Sequence, residues 1–309
     1  MSKLFSGLFA SKCKTNINFD ERKGEGKKTI LVTDPHDQFK TSNKTMSVFT
    51  SGDSISGTVT LTPAKRLDHQ GVKVELKGEI VLYYENKEVH QFIYLTKDVA
   101  QPGTLTGGAA KSFNFNFPNV DKPYESYRGT NADLRYYVQV TVQKNIGKVT
   151  AEQEFWVQNI GTKPQKDKGV IMEVGIEEVI MLQIKYERVN LRLGEIIHGK
   201  LHFSLVNTEI DIGEVSIIRK ETIGYAGTQH TEQETLKKFE VIDGSPISGE
   251  IVPMRLYLTA VEPWKLTPTC ENVNNKFTVR YYVHLSLCDK VGRRYFKQHE
   301  LLLWRESLS

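Results

Sequence analysis

The chain has 309 residues, and 41 Lys and Arg against 37 Asp and Glu leave a formal charge of +4. With 39% hydrophobic and 25% charged residues, the composition excludes an intrinsically disordered chain, and cations interleaved with acids offer a nucleic acid little counterion release. Cys13, Cys270 and Cys288 contain no Cys-x-x-Cys pair, so neither a disulfide framework nor a four-cysteine zinc site is expected, and a reducing compartment fits.

At the start of the chain, Leu4, Phe5, Leu8 and Phe9 are broken by Ser6 and Gly7, which does not make a secretory apolar region. Ser2 in place of Gly also excludes myristoylation. No apolar run approaches the roughly 20 residues that span a bilayer as a helix. The expectation is a cytosolic protein whose first residues dock on its first domain rather than touch a membrane.

Further along, Val72, Val74, Leu76, Ile80 and Leu82 alternate with Lys73, Glu75, Lys77 and Glu79, the pattern of a half-buried strand. The same period recurs in Phe113, Phe115 and Phe117, in residues 134–142, and in Leu256 and Leu258, while no stretch sustains a helical stripe. Short strands between Gly, Asn, Asp and Pro, without helical crossovers, predict an all-β chain of two tandem antiparallel β-sandwich domains rather than a nucleotide-binding βαβ fold. A polar stretch at 161–169 is read as a linker, giving domains 1–160 and 170–309.

Self-similarity supports the division. Gly52, Asp53, Ile55, Gly57, Val59 and Leu61 are answered 142 residues later by Gly194, Glu195, Ile197, Gly199, Leu201 and Phe203. Arg135-Tyr136-Tyr137-Val138 recurs as Arg280-Tyr281-Tyr282-Val283, 145 residues on, in the same strand order. A drift of this size is what loops of unequal length leave in a duplicated domain.

Catalytic motifs fail on context. Residues 194–200 have the spacing of a phosphate-binding loop, but Leu201 stands where a magnesium-holding Ser or Thr is required, and the sibling at Gly52–Gly57 has no Lys. His198 and His202 would share a metal on a helix, but on a strand they stand roughly 13 Å apart. There is no Gly-x-Ser-x-Gly elbow, and pairs such as Glu177-Glu178 cannot be told from solvated strand charges. No enzyme activity, cofactor or metal is expected.

The segment Pro123-Tyr124-Glu125-Ser126-Tyr127-Arg128-Gly129, feeding Leu134-Arg135-Tyr136-Tyr137-Val138, resembles the loop and following strand of arrestin-like proteins. Three further stretches are more particular: residues 66–71 (Arg-Leu-Asp-His-Gln-Gly), 172–177 (Met-Glu-Val-Gly-Ile-Glu) and 293–298 (Arg-Arg-Tyr-Phe-Lys-Gln). They closely resemble retromer's arrestin-like subunit, the vacuolar protein sorting-associated protein 26 family, and the likeness runs from about Phe9 to Trp304.

That resemblance implies a non-enzymatic coat subunit, cytoplasmic and peripheral on the endosomal membrane. It would bind retromer's α-solenoid scaffold subunit (vacuolar protein sorting-associated protein 35), work with sorting nexins, and help select the cytoplasmic tails of transmembrane cargo for retrieval to the Golgi or the cell surface. It further implies attachment to the scaffold through a hairpin matched by residues 238–246, with Val241, Ile242, Asp243 and Gly244 as the contact. Read from the residues, Asp243-Gly244 is a turn signal, and alternation puts Val241 and Ile242 on opposite faces, so one lies outside the core. Given the resemblance, Ile242 is assigned to the interface, against the alternative that it staples its own hairpin. Cargo tails are expected to pair weakly with an edge strand at Tyr295 and Phe296, although strand phase alone does not say which of the two faces out. An arrestin-like receptor or signalling adaptor outside retromer is the competing reading. It would require clustered Arg and Lys around a buried polar core, which the sequence does not display.

Overall fold

Alternating apolar residues build strands throughout. The computed structural model describes residues 13–20, 28–36, 43–161, 169–224 and 229–306, and among these it has no α-helix and one short 3-10 turn, Leu258–Ala260. The opening segment expected to dock on the first domain, and residues 162–168 of the expected linker, lie outside the described residues. The chain divides into two compact units, one running up to Ser126 and including Asp133–Asn159, the other made of Tyr127–Ala132 and the residues from Ile160 onward.

The first half of the chain supplies β1 (Cys13–Phe19), β2 (Thr29–Thr33), β3 (Asn43–Thr50), β4 (Ile55–Pro63), β5 (Leu67–His69), β6 (Gly71–Leu82), β7 (Glu88–Ala100), β8 (Gly103–Leu105), β9 (Lys111–Phe117), β10 (Tyr127–Arg128), β11 (Ala132–Gln143) and β12 (Lys148–Gln158). One sheet has the order β1-β4-β9 and the larger one β2-β3-β12-β11-β6-β7. The inward residues of β6 (Val72, Val74, Leu76, Ile80, Leu82) are buried as their alternation predicts. The opposite face is no simple solvated one. Glu75 and Glu79 are also buried, because Tyr94 and Tyr137 donate to them at 2.7 and 2.6 Å and Arg135 pairs with Glu79 at 3.0 Å.

The second half supplies β13 (Val170–Ile176), β14 (Ile180–Tyr186), β15 (Asn190–Arg192), β16 (Ile196–Val206), β17 (Ile210–Ile223), β18 (His230–Asp243), β19 (Ile251–Tyr257), β20 (Cys270–Val273), β21 (Phe277–Asp289) and β22 (Arg294–Trp304). They form a sheet of order β13-β14-β16-β19 and another of order β15-β22-β21-β17-β18.

The duplication extends to atomic detail. Gly52 and Gly194 take the left-handed conformation at φ +83° and +84°, and the acid after each accepts from the backbone N–H three residues back, Thr50 N to Asp53 Oδ2 at 2.5 Å and Arg192 N to Glu195 Oε2 at 2.8 Å. The glycine-acid pair is therefore a turn that launches β4 and β16, not a phosphate cradle. β3 runs parallel beside the end of β12 as β15 does beside β22. Tyr136 and Tyr281 are both buried and tie their hydroxyls to the preceding loop, at Tyr124 O (2.7 Å) and Thr267 N (3.0 Å).

Candidate functional site

Three connections meet at one end of the second unit. The β16–β17 link (residues 207–209), the β18–β19 link (244–250) and the β21–β22 turn (290–293) are joined by Ile210 N–H donating to Ser245 Oγ at 3.1 Å, Val206 N–H to Ser248 Oγ at 2.9 Å, and Lys290 pairing with Glu209 at 2.7 Å. The first two line an open cleft of about 340 Å³, formed by residues 206–209 and 245–248. Two aliphatic side chains protrude beside it, Ile247 at 72% and Val291 at 73% exposure.

A buried carboxylate holds this end rigid. Asp289 accepts from Arg293 N–H at 2.8 Å, Arg293 Nε at 2.7 Å, the Tyr295 hydroxyl at 3.0 Å and the Thr208 hydroxyl at 3.2 Å. Burial pushes its pKa up, but these donors outweigh burial and bring it down to about 2. A carboxylate depressed in the folded state contributes stability above its unfolded pKa of about 4, and loses it as pH falls towards 2. Wild type should therefore lose thermal stability between pH 4 and 2 more steeply than Asp289→Asn, as read from melting temperature across that range.

Leading out of the turn, β22 forms part of a sheet edge. β15 pairs only with Leu302–Trp304, so on that side residues 294–301 have no strand partner among the described residues. Tyr295 is buried on Asp289, whereas Phe296 is 65% exposed and stacks on His284 at 6.1 Å between ring centroids. A flat aromatic next to unpaired backbone is the equipment for receiving an extended peptide, the main chain adding as a strand and a side chain resting on the ring.

Residues 9–292 match the family described as vacuolar protein sorting-associated protein 26. The chain belongs to that family. It is 40% identical over 287 residues to vacuolar protein sorting-associated protein 26B of Mus musculus and to that of Homo sapiens, covering 90% of this chain and 84% of each relative. To vacuolar protein sorting-associated protein 26B of Danio rerio it is 39% identical over 287 residues, 85% of that protein. The vacuolar protein sorting-associated protein 26 family is an arrestin-like, non-enzymatic one with a role in vacuolar and endosomal protein sorting. No helix of the described residues is long and apolar enough to cross a membrane.

In this family member the expected contact residues separate. β17 and β18 pair Gly213 with Ile242 and Glu214 with Glu240, which leaves Val241 as the extra residue of a β-bulge. The bulge breaks the alternation. Val241 is partly exposed, and Ile242, assigned to the interface on the family resemblance, is only 7% exposed and packs over Gly213. Nor do residues 238–246 form a hairpin: after Asp243, with Gly244 at φ +90°, the chain leaves β18 and enters the other sheet as β19. Asp243 is exposed and Ile242 belongs to the core. At the other expected site Tyr295 is likewise a core residue, and Phe296 is the one presented to solvent.

A buried polar cluster was also hidden from the sequence. Arg219 donates to Arg128 O at 3.1 Å and to Glu234 Oε2 at 2.6 Å, and lies 5.0 Å over the Tyr127 ring. Glu221 accepts from Asn131 N–H at 2.6 Å. All of these residues group with the second unit, and Arg128, Arg219 and Glu221 are buried. Arg219 is ion-paired, so the cluster offers no open cradle of cations for a phosphate.

Proposed function

We propose that the chain is the arrestin-like subunit of retromer and attaches to the α-solenoid scaffold through the end of the second unit that carries Val241, Asp243, Gly244, Ile247 and Val291. The observation that carries this reading is the pair of protruding aliphatics beside a cleft, on a surface otherwise held rigid by hydrogen bonds. Such side chains gain most from a partner that removes them from water. The neighbouring Phe296 edge would receive cytoplasmic cargo tails, with a sorting nexin completing the groove on the endosomal membrane. Because main-chain pairing and one ring give little affinity, the isolated chain binds tails weakly.

Calorimetric titration of the scaffold subunit against wild type, Ile247→Asp and Val291→Asp tests the assignment. Each charge should weaken binding by about thirty-fold, some 2 kcal/mol, with the melting temperature unchanged. Unaltered affinity in both variants would move the interface elsewhere. Failure of wild type to bind would leave an arrestin-like adaptor outside retromer.

A further inference from the structure

We infer that the β11–β12 end of the first unit is a docking surface for an anionic lipid bilayer. Its centre is the hairpin tip between Gln143 and Lys148, where Ile146 is 90% exposed, the highest value among the exposed large apolar residues. The tip is rigid. Lys144 N–H donates to Gly147 O at 3.1 Å with Gly147 at φ +77°, and the Gln143 side-chain amide donates to Lys144 O at 3.2 Å and Gly147 O at 3.3 Å. Gln70 ties it to the neighbouring loop through Gln143 O at 2.8 Å and Asn145 Oδ1 at 2.5 Å. An aliphatic side chain held out on a tied turn gains nothing for the fold, and it enters an interface at little conformational cost.

Cations share this end. The start of β1 pairs with the end of β4 (Cys13 with Pro63), the start of β9 pairs there too (Lys111 with Leu61), and Gly108 N–H reaches Pro63 O at 2.7 Å, so these termini share one end of the sandwich. This end gathers Lys14, Lys65, Arg66, Lys111, Lys144 and Lys148. Of these only Arg66 pairs with a described carboxylate, Asp68 at 3.4 Å. The surplus contrasts with the near-neutral chain as a whole. An apolar tip flanked by Lys144 and Lys148 within a basic field matches a bilayer surface, where phosphate headgroups lie over hydrocarbon; a nucleic acid would leave the aliphatic tip unused. The inference deepens the peripheral-membrane part of the function proposed above. It makes no use of the scaffold, so a failed scaffold titration and a failed vesicle experiment are separate results.

The test is co-sedimentation of the full chain, without partners, on phosphatidylcholine vesicles with and without 30 mol % phosphatidylserine. Binding is expected on the anionic vesicles alone and should vanish in 0.5 M salt. Lys144→Gln with Lys148→Gln should lower the partition coefficient by about five-fold per lysine, about twenty-five-fold together. Ile146→Trp should add a fluorescence component that shifts to the blue on anionic vesicles. Equal binding to neutral vesicles, no loss in the double variant, an unshifted tryptophan at 146, or retention on single-stranded DNA without vesicle binding would each overturn the inference.

Discussion

Ile242→Asp should unfold the second unit before it reports on any partner. Ile242 is 7% exposed and packs over Gly213 between β17 and β18, so the substitution removes a buried aliphatic and places a carboxylate in the gap. The lost packing costs about 2–5 kcal/mol by itself, and burying the charge adds to it. Against a typical stability of about 5–15 kcal/mol, the variant should lose at least about 4 kcal/mol and be partly unfolded at 37 °C. Ile247→Asp, on a side chain 72% exposed, should stay within about 0.5 kcal/mol of wild type. Chemical denaturation of the two variants side by side checks this. Equal stability would mean that Ile242 is not held in the core. If the difference is as large as expected, loss of scaffold binding in Ile242→Asp would carry no information about the interface, whereas loss in Ile247→Asp would.

The contrast between these neighbours shows where the sequence was readable. Strand period exposed the sheets because a one-residue slip moves an entire apolar set to the other face, which fixes the pattern strongly in β4, β6, β16 and β21. The repeat was readable because both units need the same turn before β4 and β16 and the same buried tyrosine in β11 and β21. Which of Val241 and Ile242 faces out was not legible, for a definite reason. A bulge adds one residue, reverses the parity after it, and has no signature in side-chain type. Ile247 and Val291 lie in connections rather than strands, and each reads singly as an incidental apolar loop residue. The one signal available was an aliphatic beside turn-forming residues, Pro246-Ile247-Ser248 and Lys290-Val291-Gly292. The basic end of the first unit was equally invisible, because its cations come from five connections and strand ends spread between Lys14 and Lys148, and only folding brings them to one place.

Arg219 is the residue whose loss should be felt most widely. With Glu221 it occupies the inward face of β17, two residues apart. Its guanidinium satisfies the carbonyls of Arg128 (3.1 Å) and Lys265 (3.4 Å) and pairs with Glu234. Burial alone would lower its pKa, but the surrounding tyrosines and the two glutamates reverse that and keep it charged. Arg219→Met would therefore remove the guanidinium donor from the carbonyls of Arg128 and Lys265, the latter keeping the Tyr281 hydroxyl at 3.4 Å, and deprive the buried Glu221 of the cation beside it on the strand. Removing one member of a buried ion group costs about 3–5 kcal/mol, because the partner charge stays behind. Adding Glu221→Gln removes that charge while keeping an acceptor for the Asn131 amide, so the double variant should recover about 1–3 kcal/mol relative to Arg219→Met. A denaturant series on wild type, both single variants and the double variant measures the coupling directly. If the two changes simply add, the cluster is a set of independent hydrogen bonds. If they couple, the charges of β17 hold the segment Tyr127–Ala132 in the second unit as one cooperative group.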